Sequence, residues 1–383
     1  MRIPLWTWLV SLSLLAACTA PAAPTSSGPA RATPGPPAEA SPAAAGERAA
    51  PAGTASVAPL NPPQVVRIVN VGLAAQVPTF LAIEAGYFTE VGLIPEVVPI
   101  TTTTDTLALL SSGQVDVGIA AIAAGFFNAV ARGVAIRMVA DHGSYIPGRT
   151  TPVLAVRADL LDQRPWTGFQ DLRGLRIAIQ QRGSVLERNL ETLLQLGGLQ
   201  RSDVEVLELP FPDMATAFVN RAIDAASFNE PWATQLEEQG VIKKIVPMDA
   251  IEPCGVIAGL LFSERFAQNT PAARNYMVAY LRGVRQYWDA YDGRAPFQPV
   301  IDAHVKYTPL KNEALIRKIP PTGQNPNGYI DPARLATYQD WFAERGLVTQ
   351  KADIARALDL SFVEYANAVL GPYHPAEPLR CPD

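Results

Sequence analysis

The chain has 383 residues, 17% of them charged, and a formal net charge of −5. That balance gives no basic footprint, so no nucleic-acid partner is expected. Beyond residue 64, roughly 320 residues remain, enough for a large core and for more than one domain by length.

Met1-Arg2-Ile3 give a short basic start, and Pro4 to Leu15 form an apolar stretch too short to span a bilayer as an ordinary helix. Leu15-Ala16-Ala17-Cys18 follows directly, with small residues before a single cysteine, as a lipoprotein signal peptidase requires. Residues 1–18 are therefore expected to be a signal peptide, with Cys18 left as the lipidated residue that anchors the protein to a membrane. Residues 19–64 are almost wholly Pro, Ala, Ser, Gly and Thr without apolar periodicity. Such a segment buries too little surface to offset the entropy of ordering, and it reads as a disordered tether on the order of 40 Å long. The remaining cysteines, Cys254 and Cys381, sit in no metal or redox spacing. In an oxidising compartment they either pair or stay as partly buried thiols.

Val65 to Leu73 reads as a buried strand, followed by a helix with Pro78 in its first turn and Gly86 near its end. Ile94 to Ile100 is a second strand, after which Thr101 to Asp105 supply N-cap candidates for a helix that stops at Gly113. A strand at Val115 to Ala121, a helix at Gly125 to Arg132 and a strand at Ile136 to Ala140 complete the first series. The second series runs through strands at Leu175 to Gln180, Val204 to Leu209 and Ile223 to Phe228, with helices at Ser184 to Leu196 and Asp213 to Asn220 between them. Alternation on this scale predicts an α/β protein with two parallel-type sheets, each covered by helices. Pro152 to Arg157 and Val256 to Phe262 are expected to cross between lobes as a two-strand hinge. The boundaries that follow are 65–157 with 256–383 for the first lobe and its helical C-terminal tail, and 158–255 for the second.

Gly86-Tyr87-Phe88-Thr89-Glu90-Val91-Gly92-Leu93, then Ser112-Gly113-Gln114-Val115-Asp116-Val117-Gly118 and Arg132-Gly133-Val134, occur in an order that resembles the SsuA/THI5-like (NMT1) family of solute-binding proteins. Asp171-Leu172-Arg173-Gly174, Asp224-Ala225-Ala226 with Glu230-Pro231, Gly328 to Asp331 and Ala366 to Gly371 extend the likeness over nearly all of the chain past the tether. The resemblance implies a two-lobe type 2 periplasmic-binding-protein fold and an ABC permease with its ATPase as partners. It also implies a small-molecule ligand, for which the family offers sulfonates, taurine, nitrate and pyrimidine precursors of thiamine. The threonine run at Thr101 to Thr104 departs from relatives that carry glycine before the second helix.

In parallel sheets, ligands bind beyond the carboxyl ends of the strands, where helix N-termini face outward. The candidates at those ends are Gln76, Thr79, Thr102, Ala121, Phe126, His142, Ser144 and Tyr145 in the first lobe. In the second they are Arg182, Ser184, Asn229, Glu230 and Trp232, with Gln181 and Asp213 nearby. Glu230 and Trp232 put a carboxylate and an indole at the lip, although an acid there equally suits a helix N-terminus. Arg182 and His142 are the candidates for meeting an anionic group, and Phe126 and Tyr145 for stacking on a flat one. The density of Phe126, Tyr145, Phe228 and Trp232 favours a heterocycle or aromatic acid over nitrate or taurine.

No phosphate-binding glycine loop, H-E-x-x-H, C-x-x-C or G-x-S-x-G is present, so neither a cofactor nor catalysis is expected. The rival functions are a same-fold enzyme of pyrimidine or quinone precursor metabolism and a ligand-sensing lipoprotein without transport. A monomer located outside the cytoplasm, receiving a small organic solute, is the expected state.

Overall fold

A computed structural model describes residues 57–379. The expected signal segment, the lipidation site Cys18, the tether up to residue 56 and Cys381 lie outside the described residues. Cys254 is disulfide-bonded. Among the described residues no helix is long and apolar enough to cross a membrane.

In chain order the strands are β1 (Gln64–Asn70), β2 (Leu93–Pro99), β3 (Val117–Ala121), β4 (Ile136–Ser144), β5 (Val153–Arg157), β6 (Arg176–Ile179), β7 (Glu205–Glu208), β8 (Ala225–Phe228), β9 (Ile242–Pro247) and β10 (Val256–Ser263). They form two five-stranded sheets, ordered β2-β1-β3-β10-β4 and β7-β6-β8-β5-β9. β1 is parallel to β2 and β3, while β10 runs antiparallel between β3 and β4. The second sheet repeats this, with β6 parallel to β7 and β8 and β5 antiparallel between β8 and β9. Apolar runs such as Ile68 and Val69 in β1 or Ile177, Ala178 and Ile179 in β6 are buried on successive residues, as strands covered on both faces require.

The hinge differs from the sequence expectation. Val153–Arg157 lies inside the second sheet and not in the first lobe, and Val256–Ser263 lies inside the first sheet. The crossings are the residues just before these strands, 145–152 between β4 and β5 and 248–255 between β9 and β10. They bond to each other: Tyr145 N–H donates to Gly255 O at 2.7 Å, Cys254 N–H to Tyr145 O at 2.8 Å, and Met248 N–H to Pro152 O at 3.1 Å. A strand that is apolar over most of its length gains most by filling a sheet interior, which leaves the bending to the irregular segments beside it.

The start of the fold also differs. Residues 57–63, expected in the tether, dock on the first lobe, where Leu60 N–H donates to Val91 O at 3.1 Å and Asn275 Nδ2 to Ala58 O at 3.2 Å. Val57 and Leu60 pack against the core, and this contact repays the ordering of an otherwise polar and proline-rich stretch.

The C-terminal helices brace the first lobe. The long helix Thr270–Tyr291 lies against the helix Val77–Glu84. Gly283 permits the approach, because a Cβ there would sit 2.3 Å from Pro78 O. After the helix Gln298–Tyr307, residues 320–331 run without helix or strand past the first crossing. Asp331 then caps the helix Pro332–Glu344 by accepting Ala333 N–H at 2.8 Å, as the Asp-Pro signal predicts. That course brings Thr322 to Asn325 against the end of β4: Ser144 N–H donates to Gly323 O, and Asn325 N–H to the Asp141 carboxylate.

Candidate functional site

The carboxyl ends of both sheets face one cleft, and its lips touch. Ala124 N–H donates to Gly183 O at 2.8 Å and Val185 N–H to Ile122 O at 3.0 Å, so Ala123 and Ser184 form an antiparallel bridge between lobes. Gln180 Nε2 reaches Thr102 Oγ1 and Thr103 Oγ1, each at 3.3 Å. Farther out, Lys318 pairs with Glu238 at 2.7 Å and Arg345 with Glu191 at 2.6 Å. The space enclosed is about 50 Å³. Ligand pockets for drug-sized molecules are about 300–1,000 Å³, so admission of an organic solute requires the lobes to part.

The first lobe lines this space with Leu73 and Ala75 after β1, Thr103 after β2, Ile119 and Ala121 on β3, His142 and Gly143 on β4, and Ile257 and Ala258 on β10. The second lobe adds Gln180, Leu186, Phe211 and Asn229; Thr151 from a crossing and Thr322 complete the wall. The lining contains no Lys, Arg, Asp or Glu. Some helix N-terminal N–H groups beside it are already bonded. Those of Ala124 and Val185 bond across the lips, that of Thr104 bonds Thr102 Oγ1 at 3.3 Å, and that of Thr234 bonds Glu230 Oε2 at 2.9 Å.

His142 is the polar centre of the wall. It is 1% exposed, and its Nε2 has no partner. Gln324 Nε2 donates to Ala75 O and, at 2.8 Å, to His142 O, and faces His142 Nδ1 at 3.5 Å. Burial pushes the imidazole down to about 4, so it is neutral at ordinary pH. The neighbouring Asp141 carboxyl accepts from Gly143 N–H at 3.1 Å, Ser144 Oγ at 2.9 Å and Asn325 N–H. Burial nevertheless pushes it up to about 7.

Of the residues singled out from the sequence, Ala121, His142 and Asn229 line the enclosed space. Thr102 and Trp232 stand in an adjoining recess, where Trp232 stacks on Phe211 with ring centroids 5.8 Å apart. Ser184 is buried at the lip with its hydroxyl donating to Gln181 O at 2.7 Å.

The others do not converge on the cleft. Gln76 is consumed by the end of β1, donating to Val69 O and accepting from Val71 N–H, both at 2.8 Å. Thr79 is buried within the helix Val77–Glu84. Phe126 belongs to the core and meets Phe127 edge-on at 5.5 Å. Tyr145 is buried under the hinge with its hydroxyl bonded to Asn189. Ser144 is turned onto Asp141. Arg182 is half-exposed on the outer side, donating to Val206 O at 2.7 Å. Asp213 is exposed in the first turn of its helix. Glu230, fully buried, accepts from Thr234 N–H and Oγ1, each at 2.9 Å, and from Lys244 Nζ at 2.8 Å. It caps the helix Trp232–Glu238 from within the second lobe and does not face the ligand space.

Sequence reasoning missed Leu73, Gln180 and Phe211, which sit one to three residues past β1, β6 and β7. The strand ends point to them, but polar and charged neighbours drew the choice. Thr322 and Gln324 lie in a stretch with no periodicity and so carry no local signal.

The family model described as NMT1/THI5 like matches residues 74–290, more than half of the chain. No curated protein matches the chain in sequence. Among solved structures, a ligand-binding component of an ABC-type import system from Staphylococcus aureus, with zinc bound, is 15% identical with a TM-score of 0.66, covering 79% of this chain and 99% of that one. The alkanesulfonate-binding protein SsuA from Xanthomonas axonopodis pv. citri, bound to MOPS, is 21% identical with a TM-score of 0.61, covering 78% and 99%. The desulfurization enzyme DSZB is 14% identical with a TM-score of 0.55, covering 80% and 99%. The same fold thus serves binding and catalysis, and the site has to decide between them. Among the described residues, no group of three or more His, Cys, Asp and Glu is placed to hold a metal ion. The matched span, together with two mixed sheets of equivalent order facing one cleft, makes the chain a member of the NMT1/THI5-like family with a type 2 periplasmic-binding-protein fold.

Proposed function

We propose that the chain is the extracytoplasmic solute-binding protein of an ABC importer, which takes a small organic solute between its lobes and delivers it to a permease and its ATPase. The observation that carries this reading is the enclosed, apolar cleft at the carboxyl ends of both sheets, held shut by a few cross-lobe hydrogen bonds and spanned by two short crossings. Such lips part at low cost, since each net hydrogen bond is worth about 0.5–1.5 kcal/mol. A lipid on Cys18 and the segment after it would keep a monomeric receptor near the membrane.

Binding is favoured over catalysis by the lining itself. It offers no carboxylate, thiol or serine hydroxyl, and His142 is engaged by an amide and not by an acid or a nucleophile. The expectation of a flat, stacked ligand changes in its basis: Phe126, Tyr145 and Phe228 are core residues, and Phe211 is the aromatic ring in the wall. An apolar body remains the feature that this wall accepts.

Thermal unfolding against a panel of small organic solutes tests the reading. A true solute at a hundred times its dissociation constant stabilises the protein by about 2.7 kcal/mol. Absence of any saturable shift across heterocycles, aromatic acids and sulfonates would count against it. Cys18→Ser tests the anchor separately, with release from membranes expected and unchanged membrane retention the contrary result.

A further inference from the structure

We infer, on the basis of the solute-binding reading, that the solute is an uncharged molecule with an apolar body and one hydrogen-bonding group such as an amide. That group is bound at Nε2 of His142, with Gln324 as the positioning residue.

Three observations converge on this class. First, the wall holds no charged side chain, and the N–H groups of Ala124, Val185, Thr104 and Thr234 beside it already have acceptors. A bare oxyanion enclosed there would lose its hydration with no countercharge to replace it. Second, His142 is buried in the wall and its Nε2 is an orphan, whereas an enclosed polar nitrogen is normally paired. A hydrogen-bonding group of the ligand supplies the missing partner. Third, Gln324 holds His142 in place. Its amide nitrogen donates to two carbonyls, Ala75 O and His142 O, which identifies it as the NH2 end and uses both of its hydrogens. It stands 3.5 Å from Nδ1, and Nε2 is the ring nitrogen left for the ligand. The Gln324 backbone is fixed in turn, since Trp288 Nε1 donates to its main-chain carbonyl at 2.8 Å.

Binding would be measured by isothermal titration with 2-pyridone and benzamide as neutral carbonyl probes, and with taurine, methanesulfonate and nitrate as anions. The neutral probes are expected to bind and the anions not. His142→Leu should weaken the neutral probes about tenfold, and His142→Gln, which retains an N–H donor, should restore most of that loss.

A second measurement on the unmutated protein guards against a folding defect. Nitrogen NMR of protein labelled at its three histidines should show His142 as a neutral ring whose Nε2 signal shifts with 2-pyridone, while His304 and His374 do not. Tight binding of an anion with no neutral probe bound, or a His142 signal unmoved by a bound neutral probe, would overturn the ligand class and leave the solute-binding reading standing. Failure of every probe of both kinds would overturn that reading and this inference with it.

Discussion

The first sheet, β2-β1-β3-β10-β4, and the second, β7-β6-β8-β5-β9, place their strands in equivalent positions, and in both the strand beside one edge runs against the rest. What is added to them differs. The first lobe carries the helices after residue 263, and the segment 320–331 closes behind its β4. Its wall residues stand largely on strands, among them Ile119, Ala121, His142 and Ala258. The second lobe meets the cleft with Gln180 and Asn229 just past strands and with Phe211 and Leu186 in the first turns of helices. A site built on strands and backed by a second layer is held more firmly than one on loop ends. The first lobe is thus the platform and the second the cover, although the two sheets share one topology.

The contrast is broken most severely at Gly323. A Cβ there would lie 2.1 Å from Ser144 O and 2.2 Å from Arg149 O, and both are backbone atoms that cannot swing aside. Gly323→Ala should cost about 3 kcal/mol or more in denaturant unfolding, whereas Gly125→Ala, with nothing within 4 Å, should change stability little.

Next in size is Glu230→Gln, which removes the buried charge facing Lys244 and leaves that ammonium only Thr234 Oγ1 and the more distant Glu237 carboxylate as side-chain partners besides the new amide. A loss of about 2 kcal/mol is expected. Solute affinity should be unchanged, and a large fall in affinity at constant stability would return Glu230 to the ligand.

The platform's tail gives a pH test. His304 is fully buried, neither ring nitrogen has a partner, and burial pushes it from 6.5 down to about 4. The unfolded chain therefore binds the proton first, and the stability tied to this group is complete above pH 6.5 and lost as pH falls towards 4. Asp141, raised from 3.8 to about 7, runs the other way, favouring the folded state at the acid end of that window. Comparing His304→Leu with the unmutated chain at each pH isolates the histidine: the variant should lose stability less steeply between pH 6.5 and 4.

The smallest effect belongs to Arg345→Ala, which removes the ion pair with Glu191 across the lobes. About 0.2–1 kcal/mol is expected for such an exposed pair. The change should be felt in the opening of the cleft, measured by hydrogen exchange at Ala124 and Val185, more than in unfolding.

Much of the scaffold was legible because alternating strands and helices carry their own punctuation. The buried strand of β1, the Thr102 cap, the Asp331-Pro332 helix start and the mostly helical tail all follow from local pattern. The crossings were displaced by one element, since Val153–Arg157 reads equally as a bridge or as an interior strand until its partners β8 and β9 are known. The site was harder to read. Strand ends indicate which loops approach the cleft, but not which way a side chain turns, so Glu230 is a cap and Gln76 a backbone clamp. Aromatic residues near strand ends are drawn inward by their area, as Phe126 and Tyr145 are, while Leu73 and Gln180 remain at the surface of the cleft. The contribution of Thr322 and Gln324 depends on a contact nearly two hundred residues away in sequence, which no local pattern encodes.

The central claim, that one small solute is held between platform and cover, is tested most directly by filling that space. Native mass spectrometry would compare the unmutated protein with Ala121→Trp after each is equilibrated with the same mixture of small organic solutes. Circular dichroism and unfolding would confirm that both are folded. The account predicts one bound solute per unmutated chain and none on the tryptophan variant; equal retention by a folded Ala121→Trp protein would contradict it.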